Sequence, residues 1–304
     1  MGGPRHFLWK VPAQHDIIAL NLKVEWAYWI CNNHKRRRHM KLPTLLAALL
    51  AAISTTAAAQ TGQPDPLLTR RGWEVGGQVS KYHYEEPDFM NLKGNQFGAV
   101  GAYTFTSPNR VYNRIDGRVA YGSLKYEGSG TQDNNANWIA EARAVIGRDF
   151  LVSDNVALSP YIGLGYRYLY NDLRGYSVVG NTTYVGYRRY STYVYAPVGV
   201  TLRMRTGDQW VIAPTLEYDA FLGGRQQSKL SDTGLGYSDA SNEQDTGRGY
   251  RASLMVEKGH WSFGPWLQYW NIKDSDTVPI GLGSVGTEPA NWTREYGLEL
   301  RYRF

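Results

Sequence analysis

Two small groups of residues in this 304-residue chain have side chains suited to acid–base chemistry. Glu217 and Asp219 lie two positions apart in a segment of alternating apolar and polar residues, so a β-strand would place them on one face, where they could share a proton. His83 is followed by Glu85 and Glu86, and a histidine near carboxylates is the minimum for general-base catalysis. Ion pairing with arginines on a neighbouring strand is the simpler role for the first group.

The segments that carry these groups alternate between apolar and polar residues with a period of two. In the last segment, Leu298, Leu300 and Tyr302 share one face, whereas Glu299 and Arg301 share the other. Such segments run for about 10 to 15 residues, longer than the ~5 to 6 residues of most soluble strands and long enough for the roughly 9 to 11 tilted residues of a membrane strand. The pattern predicts ten strands, at 73–84, 95–105, 112–126, 137–149, 156–170, 188–205, 210–221, 248–257, 261–272 and 292–304.

The connections between the predicted strands are alternately long and short. The long connections are 85–94, 127–136, 171–187, 222–247 and 273–291, and the short ones are 106–111, 150–155, 206–209 and 258–260. An up-and-down barrel with both termini in the periplasm requires this alternation, and aromatic residues at strand ends fit the girdles of a membrane barrel. We expect an all-β fold, an antiparallel up-and-down transmembrane β-barrel of about 10 strands, with 8 or 12 strands as alternatives.

The N-terminal region predicts export from the cytoplasm. Residues 40–59 combine a basic start, an apolar core and a small-residue end, as in a cleaved secretory signal peptide. Residues 1–39 then represent a mis-set start codon or an extended N-terminus. Residues 60–72 would form a periplasmic N-terminal segment, and residues 73–304 the outer-membrane barrel domain.

Charge and cysteine content narrow the range of functions. The chain has 33 basic and 27 acidic residues, but 8 basic and 2 acidic ones precede residue 60, so the mature part is formally neutral. The net charge of +6 is therefore no indication of nucleic-acid binding. The only cysteine, Cys31, also precedes the barrel, so disulfides and cysteine-ligated zinc are not expected in the mature protein.

The alternation places many charged residues on the inward face of the predicted strands. They could line a selective pore, or they could form a network of ion pairs that fills a narrow barrel, because a buried charge needs a partner. We favour the network. The predicted interior charges are Asp116, Arg118, Glu141, Arg143, Arg167, Arg203, Glu217, Asp219, Arg251, Glu295 and Glu299.

The end of the chain resembles the C-terminal assembly signal of Gram-negative outer-membrane proteins. The residues that carry the resemblance are Tyr296, Gly297, Leu298, Leu300, Tyr302 and the terminal Phe304. The resemblance implies recognition by the barrel-assembly machinery and a location in the outer membrane, in contact with its lipid and lipopolysaccharide. In strand number the chain is also similar to omptin proteases and Opc-type adhesins.

A structural role or a surface interaction through extracellular loops is the expected function, with an unknown partner. The alternatives are a small passive channel and a hydrolase. The omptin family places a His–Asp pair and an Asp pair on outer strands or loops, but His83 is the only histidine in the predicted outer part. A His–Ser acyl hydrolase is equally poorly matched, because Ser80 and His83 fall on opposite faces.

The outer loops contain three features of note. Residues 176–185 read as a hairpin with a Gly180-Asn181 turn. Apolar residues at 278–283, and at 89, 90 and 92, are expected to pack over the barrel mouth, with a partner surface as the alternative. Asp274, Asp276 and the acidic stretch 239–245 could hold Ca²⁺, but solvated loops of this composition usually bind nothing specific, and we predict no metal or cofactor.

Overall fold

Ten long strands dominate the computed structural model, which describes residues 65–304. The predicted signal peptide 40–59 and residues 1–39 lie outside the described residues. The long strands are β1 (Gly72–Glu86), β2 (Met90–Thr106), β3 (Val111–Gly128), β4 (Gly130–Arg148), β6 (Val156–Asp172), β9 (Arg188–Arg205), β10 (Val211–Ser228), β12 (Gly247–Lys258), β13 (Trp261–Ile272) and β16 (Asn291–Arg303). Six short strands complete the set: β5 (Phe150–Ser153), β7 (Tyr176–Val179), β8 (Thr182–Val185), β11 (Ala240–Gln244), β14 (Thr277–Gly281) and β15 (Ser284–Thr287).

The ten long strands form a closed antiparallel barrel. Each pairs with the next long strand along the chain, and β16 pairs back with β1, for example through Leu298 opposite Val79. The backbones approach so closely at this seam that a Cβ atom on Gly297 would overlap the carbonyl oxygen of Val79. Ten strands in a closed antiparallel barrel confirm the predicted fold class and remove the alternatives of eight and twelve.

The two ends of the barrel differ in their connections. One end, which we call the terminal end, carries Gly72, Arg303 and the turns 107–110, 206–210 and 259–260. The opposite end, which we call the loop end, carries the longer connections 173–187, 229–246 and 273–290.

The prediction of a long connection is wrong at two places in the chain. The segment 85–94 is almost entirely strand, because β1 and β2 meet in the turn 87–89, and the segment 127–136 lies almost wholly in β3 and β4, which join at Ser129. Their Asn, Asp and Gly residues suggested loops. Cross-strand partners satisfy the backbone groups there, however, so the ladder continues beyond the apolar part of the strands. Asp88, with φ of 67°, makes the first turn in the left-handed region.

The other long connections contain secondary structure of their own. Strands β7 and β8 form the predicted hairpin, with Gly180 at φ 60° in its turn. Strands β14 and β15 form a second hairpin, and β11 extends the sheet beside β10.

The outward face of the ten long strands is apolar over its middle part. This surface, which we call the apolar belt, includes Trp73, Val75, Val79, Phe97, Ile115, Val119, Ile146, Ile162, Leu216, Leu254, Phe263, Leu298 and Leu300, all exposed. Aromatic pairs border it: Trp73 packs on Tyr103 at the terminal end, and Tyr121 packs on Trp138 nearer the loop end, each with ring centroids 4.7 Å apart. A soluble protein rarely exposes so large a continuous apolar surface.

Within residues 65–304, no helix is long and apolar enough to cross a membrane.

Candidate functional site in the barrel interior

The interior of the barrel is filled in layers along its axis. Towards the terminal end lies a charged network, formed by Glu74, Arg114, Asp116, Arg118, Glu141, Arg143, Arg167, Glu217, Asp219, Arg251, Glu295, Glu299, Arg301 and Arg303. Towards the loop end lies an aromatic plug, formed by Tyr82, Tyr84, Met90, Leu92, Leu124, Tyr126, Ile139, Leu169, Tyr193, Tyr195, Trp270 and Ile272. Because successive side chains of a strand point to opposite faces, the strand residues of both sets point into the barrel.

Glu141 on β4 lies at the centre of the charged network. Its carboxylate accepts a hydrogen bond from Arg251 Nη2 at 2.8 Å and another from Arg118 Nε, and Arg167 Nε lies 3.7 Å from Oε1. The Glu141 side chain is buried. Three arginines from three other strands therefore neutralise one carboxylate.

Glu217 and Asp219, the pair suited to acid–base chemistry, are held together by arginines. Arg143 Nη1 lies 2.7 Å from Glu217 Oε1, and Arg251 Nε lies 3.0 Å from Glu217 Oε1 and 2.9 Å from Asp219 Oδ2. Tyr161 donates a further hydrogen bond to Glu217 at 2.7 Å. The pair is thus an integral part of the network.

The remaining predicted interior charges also have partners. Arg118 Nη2 lies 2.8 Å from Glu295 Oε2, Asp116 pairs with Arg143 at 2.8 Å, and Glu299 pairs with Arg301. Arg203 donates to Ser159 at 2.9 Å and lies 3.8 Å from Asp149. The structure thus brings the eleven predicted residues into the interior, where most form one connected set and Arg203 joins Asp149 nearer the terminal end.

Arg167 lies between the charged network and the aromatic plug. Its side chain is fully buried, and its guanidinium lies 5.4 Å from the Trp270 ring centroid in a cation–π contact. Among the described residues its nitrogen atoms have no hydrogen-bond partner, so the ring contact and the long Glu141 pair compensate its charge.

The segment before β1 closes the terminal end of the interior. Leu67 is only 1% exposed, and Thr69 binds Asp149 through its backbone N–H at 2.7 Å and its hydroxyl at 2.8 Å. Between this segment and the charged network lies a polar cavity of about 230 Å³. The cavity is therefore bounded by side chains on both sides along the barrel axis.

A second ionic cluster, which we call the loop-end cluster, lies above the aromatic plug. Arg189 binds the carboxylates of Glu86 and Glu288, and Tyr84 donates to Glu86 at 2.8 Å. Burial raises the pKa of Glu288 to about 8; Arg189 opposes the rise, and the charge of Glu86 adds to it. One arginine thus serves two buried carboxyl groups.

Sequence reasoning missed the loop-end cluster. Arg189 lies an even number of positions from Arg203 on β9, and Glu86 an even number from Glu74 on β1, so each pair shares a face of its strand. The alternation along these strands could therefore have placed Arg189 and Glu86 inside the barrel. Glu288 lies between β15 and β16, where no periodicity points to its partner.

His83 does not face the interior. Its ring lies 4.5 Å from the ring of Trp292 on the outward face, and its Nε2 lies 3.2 Å from Glu85 Oε2. Ser80 faces inward, where it donates to Glu295 at 2.8 Å. The two side chains of the suggested acyl-hydrolase pair are therefore on opposite sides of the wall, as their parity predicts.

The acidic loop residues bind backbone groups. Asp276 accepts from the Glu243 N–H at 2.6 Å, Asp274 from the Ala290 N–H at 2.5 Å, and Asp239 from the Ser231 N–H at 3.1 Å. Within residues 65–304 no group of three or more His, Cys, Asp or Glu side chains is arranged to hold a metal ion.

The apolar residues near the barrel mouth are partly buried and partly exposed. Met90 and Leu92 belong to the aromatic plug, with Phe89 packed against it. Ile280 is buried with Tyr187 and Leu230 in a separate cluster beneath the β14–β15 hairpin.

Comparison with known proteins agrees with this geometry. The family profile of the outer membrane protein beta-barrel domain matches residues 45–218. The chain belongs to this family. The outer-membrane β-barrel resemblance read from the sequence is thereby confirmed, and the protein is an outer-membrane protein.

Solved outer-membrane barrels align with this chain at low sequence identity. The outer membrane protease OmpT from Escherichia coli aligns with a TM-score of 0.56 and 10% identity over 77% of this chain and 97% of its own. The Pseudomonas putida toluene transporter TodX gives 0.35 and 9% over 77% and 90%, and the attachment invasion locus protein Ail of Yersinia pestis gives 0.30 and 12% over 77% and 100%. No curated protein sequence matches significantly. The likeness to OmpT shows the fold alone.

Removing the central carboxylate of the charged network should destabilise this outer-membrane barrel. Glu141→Ala removes the carboxylate that pairs with the fully buried Arg167 and one partner each of Arg118 and Arg251, so we expect a loss of about 3–5 kcal/mol in the free energy of unfolding. Urea unfolding from detergent micelles, followed by tryptophan fluorescence, measures this. Glu127→Gln breaks only the exposed pair with Lys125 and should leave the midpoint unchanged; equal effects of the two substitutions would contradict the central role of Glu141.

The loop-end cluster should make stability depend on pH. Because the folded-state pKa of Glu288 is about 8 against an ordinary 4.5, its contribution is complete below pH 4.5 and is lost as pH rises to about 8. Between these pH values the melting temperature should fall more steeply in the wild type than in Glu288→Gln, which cannot ionise. The gel shift of the folded band on heating measures this. The control Glu243→Gln, at an exposed loop-end acid, should keep the wild-type slope, and parallel slopes in wild type and Glu288→Gln would refute the assignment.

Proposed function

We propose that this protein is a non-conducting outer-membrane barrel that acts through its loop end, exposed to the outside of the cell, in a structural or surface-interaction role. The observation that carries the proposal is the obstruction of the interior at three levels. Leu67 and its neighbours block the terminal end, the charged network blocks the middle, and the aromatic plug with Trp270 and Leu124 blocks the loop-end half.

The loop end offers surfaces for contact with other molecules. On the β7–β8 hairpin, Tyr176 is 74% exposed and Val178 is 67% exposed, and on the β14–β15 hairpin Leu282 is 69% exposed and Val285 is 61% exposed. Exposed apolar side chains on two hairpins, supported by a rigid barrel, favour an interaction surface.

The two alternative functions have weaker support. A passive channel would need a continuous water-filled path, and the buried pairs of Glu141, Glu217 and Glu295 with arginines occupy the centre of the barrel. A hydrolase would need an accessible nucleophile or base beside its partner. Glu217 and Asp219 lie within the charged network, and His83 faces outward against Trp292.

Labelling of intact cells tests the orientation of the loops. In a Cys31→Ser background, Asn181→Cys in the β7–β8 turn should react with a membrane-impermeant maleimide on whole cells, because that turn is exposed at the loop end. Asp208→Cys, in an exposed turn at the terminal end, should react only after the outer membrane is permeabilised. The reverse pattern would place the loop end in the periplasm and refute the proposed display.

Planar bilayers test the absence of conduction. The wild-type protein should give no steady current, because buried side chains occupy the interior at all three levels. Leu67→Gly, Arg251→Gly and Trp270→Gly, combined in one chain, remove one obstruction from each level and should raise the conductance, provided that the heat-modifiable band shows a folded barrel. A steady wild-type current would instead support the passive channel.

A further inference from the structure

A row of basic side chains crosses four neighbouring strands on the outward face near the loop end. Arg294 on β16 pairs in register with His83 on β1, His83 with Lys93 on β2, and Lys93 with Lys125 on β3. Because neighbouring strands lie about 4.8 Å apart, this basic row spans roughly 15 Å of the wall. The parity of each strand directs all four side chains away from the interior.

The basic row lies just beyond the apolar belt. The next outward positions towards the terminal end include Lys81 and Asn95, and the positions after those are Val79, Phe97 and Tyr121. The wall therefore changes from cationic to apolar within two outward positions. In a membrane, this boundary lies at the level of the lipid headgroups.

A groove on the outer wall connects the cationic and apolar parts. It has a volume of about 670 Å³; Lys93 and Lys125 line one part, and Phe97 and Tyr121 another. The short side chain of Ser123 lies between them and leaves the groove open.

Two of the four side chains of the basic row, Lys93 and Arg294, have no acidic partner among the described residues. Lys125 pairs with Glu127 at 2.9 Å, and Asp133 also lines the groove. His83, an imidazole that is mostly neutral at pH 7, lies 3.2 Å from Glu85, so it adds little positive charge to the row. Within residues 65–304, however, Lys81, Lys93 and Arg294 form no ion pair. Elsewhere at the loop end the exposed arginines are mostly paired, as Arg174 is with Asp172, Arg188 with Asp232, and Arg225 with Glu243.

We infer that the basic row and its groove bind a phosphorylated glycolipid of the outer leaflet, that is, the lipid part of lipopolysaccharide. Ammonium and guanidinium groups of Lys81, Lys93 and Arg294 contact the lipid phosphates, and an acyl chain lies against Phe97 and Tyr121. The inference rests on the proposed orientation, because only the outer leaflet carries this lipid beside the loop end.

Binding of purified lipopolysaccharide to the full chain in detergent tests the inference. We call the combination of Lys81→Gln, Lys93→Gln and Arg294→Gln the row variant; it removes the two unpaired cations of the row and the adjacent Lys81. We expect the row variant to bind lipopolysaccharide about tenfold more weakly, or weaker still. The matched control combines Arg174→Gln, Arg225→Gln and Arg248→Gln, which removes the same charge from exposed positions on other parts of the wall, and it should bind like the wild type. Both variants must first show the fast-migrating folded band.

Two further ligands identify the chemistry. Dephosphorylated lipopolysaccharide should bind the wild type about tenfold more weakly and should no longer distinguish the row variant from the wild type. Inorganic phosphate at millimolar concentration should not displace the lipid. Equal affinity of the wild type and the row variant, or full displacement by inorganic phosphate, would overturn the inference. Either result would leave the labelling and conductance results standing, so failure of this site and failure of the proposed function are distinguishable.

Discussion

The structure depends on one constraint: in the hydrocarbon of a bilayer no water is present to satisfy backbone N–H and C=O groups. The pairing of β16 with β1 meets this constraint, because it leaves no long strand of the barrel with a free edge in the membrane. Closure with ten strands also fixes a narrow interior, which the inward side chains can largely fill. The composition of those side chains then determines whether anything can pass.

Two kinds of side chain fill the interior, and each suits its position. The charged network neutralises itself through arginines that bridge carboxylates on different strands, so the cost of removing each charge from water is offset by several partners. The aromatic plug shields the network from the loop end and so lowers its exposure to water, which strengthens the ion pairs. Arg167 contacts both parts, with Glu141 on one side and Trp270 on the other.

The outward side chains of the strands alternate with the inward ones, and they face lipid instead of the barrel interior. Every second residue faces lipid over the apolar belt, whereas beyond the belt the outward positions become polar and the ladders of β1–β2 and β3–β4 continue towards the loop end. The hairpins β7–β8 and β14–β15, which connect β6 to β9 and β13 to β16, also lie above the membrane surface in the proposed orientation. The proposed interaction surface of the loop end and the proposed lipid site are thus separate surfaces of one rigid scaffold.

The amino-acid sequence alone determined the fold class and the inward or outward direction of the strand side chains. These properties are local, because a period of two assigns each residue of a strand to a face, as for Glu217 inside and Leu216 outside. The sequence favoured ten strands over eight or twelve, and the pairing of β16 with β1 decided for ten. Only the tertiary structure decided which charges meet. Glu141 and Arg251 are 110 positions apart, and Glu288 joins Arg189 from a segment without periodicity. The continuation of β1 and β2 through residues 85–94 was also decided by cross-strand hydrogen bonds, since polar residues read as loops until a partner strand satisfies their backbone.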